Sequence, residues 1–184
     1  MKQRILDTAA MLIQQYGLKR FTVDDIASEL RISKKTIYKY FRSKDDIISE
    51  YFDQSISSDK DSIRNTMARQ GSILERLKAV IHSSHRYPLS VSLLNEVKRF
   101  YPEQWEKIDG LKTFKMQLMK NLLDEGVAEN IFREDVNYAV FLRMLYEISD
   151  MFTDYDFLLQ NRLKTSEAID ESLKIILYGA IKKQ

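Results

Sequence analysis

The chain has 184 residues, 29 Lys and Arg against 27 Asp and Glu, a formal net charge of +2, and only 5 Gly, 2 Pro and no Cys. So few turn-forming residues exclude an architecture of many strands and turns, and the lack of Cys excludes disulfide scaffolds, thiolate metal sites and thiol nucleophiles. No N-terminal apolar run and no uncharged apolar stretch of roughly 18 residues occurs, so we expect an all-α cytoplasmic protein with no membrane segment.

Helix 1 is read from Ile5, Ala9, Leu12, Ile13 and Tyr16, which recur at helical spacing, with Gly17 as a left-handed stop. Thr22 then caps a short second helix that carries Asp24 and Asp25 in its first turn and Val23, Ile26, Ala27 and Leu30 inward. The turn Arg31-Ile32-Ser33 leads to a third helix, capped by Ser33, with Ile37 and Phe41 inward. Ser43 opens a long fourth helix whose polar stretch, Ser55 to Ser62, is expected on its exposed side. Further helices are expected over Ile73–His85, around Leu93–Phe100 between two prolines, over Glu103–Glu125 with a break at Gly110, over Val136–Phe152, and over Ser166–Ile181.

Charge is distributed unevenly. Residues 1–50 hold ten basic and seven acidic side chains, and between Arg31 and Lys44 there are six basic residues and no acidic one. Two short helices joined by a tight turn, the second presenting basic and polar groups, describe a helix-turn-helix. Lys34, Lys35 and Lys39 supply charge for phosphates and donors for guanine. Thr36 and the free amides of that helix suit phosphate, and Tyr38 and Tyr40 suit phosphate, sugar or thymine methyls.

Thr22-Val23-Asp24-Asp25-Ile26-Ala27, Ile32-Ser33-Lys34-Lys35-Thr36-Ile37-Tyr38-Lys39-Tyr40-Phe41 and Ser43-Lys44-Asp45-Asp46-Ile47 together resemble the DNA-binding signature of the tetracycline-repressor (TetR) family. The resemblance covers about Gln3–Phe52. It implies a homodimer in which each helix-turn-helix reads half of a palindromic operator in double-stranded DNA. By position, Thr22 would touch phosphate, Lys34, Lys35, Thr36, Tyr38, Lys39 and Tyr40 would form the recognition surface, and Lys44 would hold phosphate. Where the family often has Ala-Gly before the turn, this chain has Leu30-Arg31, and at Lys35 the family often has Gly or Ala. Losing the Gly requires a turn that a larger residue tolerates.

Beyond residue 52 the resemblance is architectural, with a loose match at Glu125-Gly126-Val127 and Ile131-Phe132-Arg133. It implies a pocket for an unknown small-molecule effector among the middle helices, and dimerisation through the last two. Candidates for the pocket wall are His85, Phe100, Trp105, Phe114, Met119, Phe141, Met144 and Tyr146, each of which equally suits plain core packing. Val136–Phe152 has 12 apolar or aromatic residues out of 17, too many for a helix with one wet face. Leu142, Leu145, Ile169, Leu173, Ile176, Leu177 and Ala180 are the candidate dimer interface, the alternative being a fully buried central helix of a monomer.

No catalytic constellation stands out: His82 and His85 are the only histidines, and no phosphate-binding loop or dinucleotide fingerprint occurs. The expectation is therefore a non-enzymatic regulator without cofactor or metal. It would have a helix-turn-helix DNA-binding domain at 1–48, a helical ligand-binding and dimerisation domain at 49–184, and about nine helices in all. Its expected function is that of a homodimeric repressor released from its operator by a small molecule. An activator or a DNA-organising protein of the same fold, without such a switch, is the alternative.

Overall fold

Ten α-helices account for most of the computed structural model, which describes residues 1–68, 71–82, 86–152 and 154–181. In chain order they are α1 (Lys2–Arg20), α2 (Val23–Leu30), α3 (Lys34–Tyr38), α4 (Lys44–Met67), α5 (Ile73–Ile81), α6 (Val91–Phe100), α7 (Pro102–Ala128), α8 (Tyr138–Met151), α9 (Tyr155–Gln160) and α10 (Thr165–Ala180). The helices form two compact units, Met1–Lys60 with Ser84–Ile108, and Asp61–Ser83 with Asp109–Gln184. Compactness thus divides the chain differently from a functional boundary at residue 48, because α4 and α7 each supply residues to both units.

Helix boundaries follow side-chain chemistry. Ser72 accepts from the Glu75 amide while the Glu75 carboxylate accepts from the Ser72 amide, a reciprocal cap that starts α5. Ser90 caps α6, and Pro102 opens α7 at the position where its missing N–H costs nothing. α7 runs on through Gly110 without the expected break. Among the described residues nothing lies within 4 Å of where a Cβ on Gly110 would stand, so it acts there as a poor helix former inside a long helix. The short α9, capped by Asp154, is an element that apolar periodicity did not reveal.

In the first unit, one face of α1 (Ile5, Leu6, Ala9, Leu12 and Ile13) packs with Ile26, Ile37, Phe41, Ile47, Ile48, Tyr51 and Phe52. Leu93 and Val97 of α6 join the same core. Burying each large apolar side chain contributes about 1.5–3 kcal/mol, so these contacts hold the short helices α2 and α3, which would not persist alone.

The polar stretch of α4 is a correction to the sequence expectation. Ser55 and Asp59 are fully buried rather than exposed. The segment Arg86-Tyr87-Pro88 covers this side of α4. Ser55 Oγ donates to the Tyr87 carbonyl at 2.8 Å, the Arg86 amide donates to Ser58 Oγ at 2.7 Å, and Tyr51 Oη donates to the Pro88 carbonyl at 2.8 Å. The Tyr51 and Tyr87 rings stack at 5.1 Å, and Tyr87 Oη donates to Asp7 on α1 at 2.7 Å. Burial and the neighbouring Asp7 carboxylate push the Tyr87 phenol up to about 12.

In the second unit, Ile63, Leu77, Val80, Met119, Leu122, Leu123, Phe132, Phe141, Leu145, Leu173 and Leu177 form the core. The Phe132 ring packs so closely on Gly126 that a Cβ there would collide with it. The Arg133 amide donates to the Ala180 carbonyl at 2.8 Å and its guanidinium to the Gly179 carbonyl at 3.2 Å, which satisfies carbonyls left open at the end of α10.

Candidate nucleic-acid interface

The candidate interface is assembled by three consecutive caps. At the first, Thr22 Oγ1 accepts from the Asp25 amide at 3.1 Å while Asp25 accepts from the Thr22 amide at 2.7 Å, which starts α2. At the second, Ser33 Oγ accepts from the Thr36 amide at 3.2 Å and starts α3. At the third, Ser43 Oγ accepts from the Asp46 amide at 3.1 Å and starts α4. Such caps are each worth about 0.5–2 kcal/mol and satisfy amides that a helix cannot pair itself.

Arg31 makes the turn between α2 and α3. Its backbone is left-handed, with φ 53° and ψ 46°, and the amides of Arg31 and Ile32 donate to the Ser28 and Ala27 carbonyls at 3.2 and 3.0 Å. This geometry favours Gly, and a larger residue there costs about 1 kcal/mol. The departure from Gly noted in the sequence is therefore absorbed as mild backbone strain, and it leaves one more exposed guanidinium beside the turn.

α3 is a helix of five residues anchored by Ile37 and followed by the buried Phe41. Lys35, Tyr38, Lys39 and Tyr40 are exposed, the two tyrosines at 51% and 43%. The other expected recognition residues are partly engaged within the chain. Lys34 Nζ sits 2.8 Å from Asp24, and the Thr36 hydroxyl lies 3.0 Å from Ser33 Oγ. The Thr22 hydroxyl donates to Asp25 at 2.8 Å. Lys44 is half-buried: its Nζ donates to the Lys19 carbonyl at 2.9 Å and lies 4.4 Å from the centre of the Phe21 ring. Desolvation holds its ammonium below the usual lysine range, against the opposing pull of Asp45, Glu96 and Asp25.

The Asp24–Lys34 pair is a feature that sequence reading missed. The two residues are ten apart in the chain, and no local spacing signals their contact. The arrangement as a whole offers two lysines without an ion-pair partner among the described residues (Lys35, Lys39) and amphipathic rings (Tyr38, Tyr40) on and just after a helix held by its neighbours. These groups suit phosphate attraction and base-edge contact.

The expected pocket residues belong to both units. Phe100 and Trp105 belong to the first unit, where Lys19 Nζ lies 3.6 Å from the Phe100 ring centre and Lys98 Nζ 5.2 Å from that of Trp105. In the second unit Met119 and Phe141 are buried, Phe114 is half-buried against the same core, and Met144 is exposed. Tyr146 Oη donates to Asp109 at 3.1 Å. His85 lies outside the described residues. A groove of about 560 Å³ in this unit is lined instead by residues of α5 and α10, among them Leu74, Lys78, Asp170, Leu173, Lys174 and Tyr178.

The expected dimer residues take much of their cover from the chain itself. Leu145, Leu173, Leu177 and Ala180 are buried in the core of the second unit, and Leu142, Ile169 and Ile176 pack partly buried against it. Among the described residues the large exposed apolar side chains of α8 and α10 are Val140, Met144, Ile175 and Tyr178.

Residues 5–51 match the family model described as bacterial regulatory proteins, tetR family. Along 97% of its length the chain is 27% identical to the uncharacterized HTH-type transcriptional regulator YvaF of Bacillus subtilis, covering 95% of that protein. It is 25% identical over 150 residues to the HTH-type transcriptional repressor KstR2 of Mycolicibacterium smegmatis, covering 78% of this chain and 73% of that one. The fold is shared with a protein from Saccharomonospora viridis described as a transcriptional regulator and solved in complex with choline. The TM-score is 0.75 at 18% identity, over 99% and 98% of the two chains.

Proposed function

We propose that this chain, whose residues 5–51 match the tetR family model, is a homodimeric repressor that binds a palindromic operator and leaves it when a small molecule binds. The observation that carries the DNA-binding part is the capped α2–turn–α3 unit with Lys35, Tyr38, Lys39 and Tyr40 exposed on α3 and the turn that ends it. Repression is supported by the repressor among its relatives, and a small-molecule effector by the choline complex of a protein with the same fold.

The dimer would be closed by Val140 and Met144 of α8 with Ile175 of α10, because these apolar side chains are exposed among the described residues. The inward residues Leu145, Leu173 and Leu177 would then back that interface rather than form it. Two recognition helices must sit about 34–36 Å apart to read successive turns of B-DNA. An effector that binds better to a dimer with another spacing lowers operator affinity by its differential affinity for the two states, and one that binds both equally changes nothing.

The direct test is to mix purified protein with fragmented DNA of its source genome at about 0.15 M salt and sequence what is retained. Enrichment of a few palindromic sites is the expected result. Uniform retention along the genome would replace this reading with a DNA-organising role, and no retention would remove DNA binding altogether.

A further inference from the structure

α1 is not one continuous helix. Gly17 breaks it with φ 81° and ψ 170°, and Leu18 to Arg20 form a separate last turn. A break of this kind leaves the amide that follows it without the carbonyl four residues back. Here the acceptor comes from another helix: the Leu18 amide donates to Glu96 Oε2 of α6 at 2.8 Å. A carboxylate at the start of a helical turn is favoured by both hydrogen bonding and the backbone dipole. Gly17 suits its positive φ, and a Cβ there would push the Glu96 carboxylate aside.

The same turn is gripped elsewhere. Lys44 Nζ of α4 donates to the Lys19 carbonyl at 2.9 Å, and Lys19 Nζ lies over the Phe100 ring of α6 at 3.6 Å. Leu18 and Phe21, on either side, are fully buried. Thr22 follows directly and caps α2, so the direction in which residues 18–21 leave α1 sets the direction of α2 and then of α3. Glu96 and the helix-turn-helix belong to the same compact unit.

We infer that Glu96 is a positioning residue for operator binding: through the Leu18 amide at the Gly17 break, α6 fixes the orientation in which α2 and α3 meet DNA. The inference rests on the DNA-binding reading above. It also names the point where α6 acts on that surface, because a shift of α6 that withdraws the carboxylate frees the last turn of α1 without touching any DNA-facing side chain.

Charge and position predict opposite signs, which makes the test clean. Glu96 is an anion beside a DNA-binding surface, so removing it by electrostatics alone would tighten binding to any DNA. Loss of positioning instead weakens operator binding and spares random DNA. Glu96→Ala is expected to bind operator about tenfold more weakly than wild type, with random-sequence affinity unchanged or higher, when both are measured well below the melting transition and corrected for active fraction. Glu96→Gln has the same shape and a weaker, neutral acceptor, so it keeps the test open if the Ala variant does not fold. It is expected to fall between the two.

Hydrogen exchange at the Leu18 amide should accelerate in both variants. Operator affinity equal to or tighter than wild type in Glu96→Gln, equal losses on operator and random DNA, or unchanged Leu18 exchange would each overturn the inference. If wild-type protein itself shows no operator preference, the operator-binding part of the proposed function falls. The exchange measurement then decides alone whether Glu96 holds the turn.

Discussion

Lys34, Lys35, Lys39 and Lys44 look equivalent in a sequence and are not. Asp24 already holds the Lys34 ammonium, and Lys44 is spent partly on the Lys19 carbonyl, whereas Lys35 and Lys39 are exposed with no ion-pair partner among the described residues. Lys44→Ala is expected to weaken binding to all DNA sequences and lower the salt slope by roughly one unit, as for loss of one phosphate contact. It should also lower the melting temperature, because the end of α1 loses a donor. Tyr38→Ala and Lys39→Ala should instead act on operator preference, costing about 1–3 kcal/mol where a base contact is lost. Fluorescence anisotropy on operator and random duplexes across a salt series separates the two behaviours, and equal losses on both duplexes for all three variants would refute the division.

At the scale of elements, the helix-turn-helix was the most legible part of the chain. Thr22, Ser33 and Ser43 each announce a helix start through a short polar side chain, and each makes the expected cap. The turn carries a local conflict, since Arg31 occupies a left-handed position. Arg31→Gly should relieve about 1 kcal/mol of backbone strain, against a comparable gain in unfolded-chain freedom. Its melting temperature is therefore expected within a few degrees of wild type, while binding to random DNA weakens through the lost cation. A large drop in melting temperature would mean that the Arg31 side chain has a stabilising role not seen in its contacts.

At the scale of the molecule, the exposed apolar groups of α8 and α10 bear on assembly. Met144 and Ile175 are 50% and 75% exposed, whereas Leu145 is buried at 8%. The double variant Met144→Glu with Ile175→Glu is expected to stay helical and folded but to run as a monomer in light scattering, and to lose at least tenfold in operator affinity as the two half-sites uncouple. Leu145→Glu, which places a charge in the core, is expected to unfold the second unit instead. A dimeric Met144→Glu, Ile175→Glu protein would move the interface away from this face.

The sequence by itself determined the all-α class, the caps of the helix-turn-helix and its basic, tyrosine-bearing helix. Those features depend on side chains acting on backbone a few residues away, so their spacing is visible along the chain. Contacts between distant segments were decided only by tertiary structure. Ser55 and Ser58 read as a wet face because the segment they bond, Arg86 to Tyr87, lies about thirty residues further on. α8 is apolar nearly all round, so periodicity gave no sign that Leu145 faces inward and Met144 outward. The Glu96–Leu18 bond joins residues 78 apart and depends on a backbone break at Gly17. The sequence shows the Gly, but only the packing of α6 against α1 brings the carboxylate to the amide that the break leaves open.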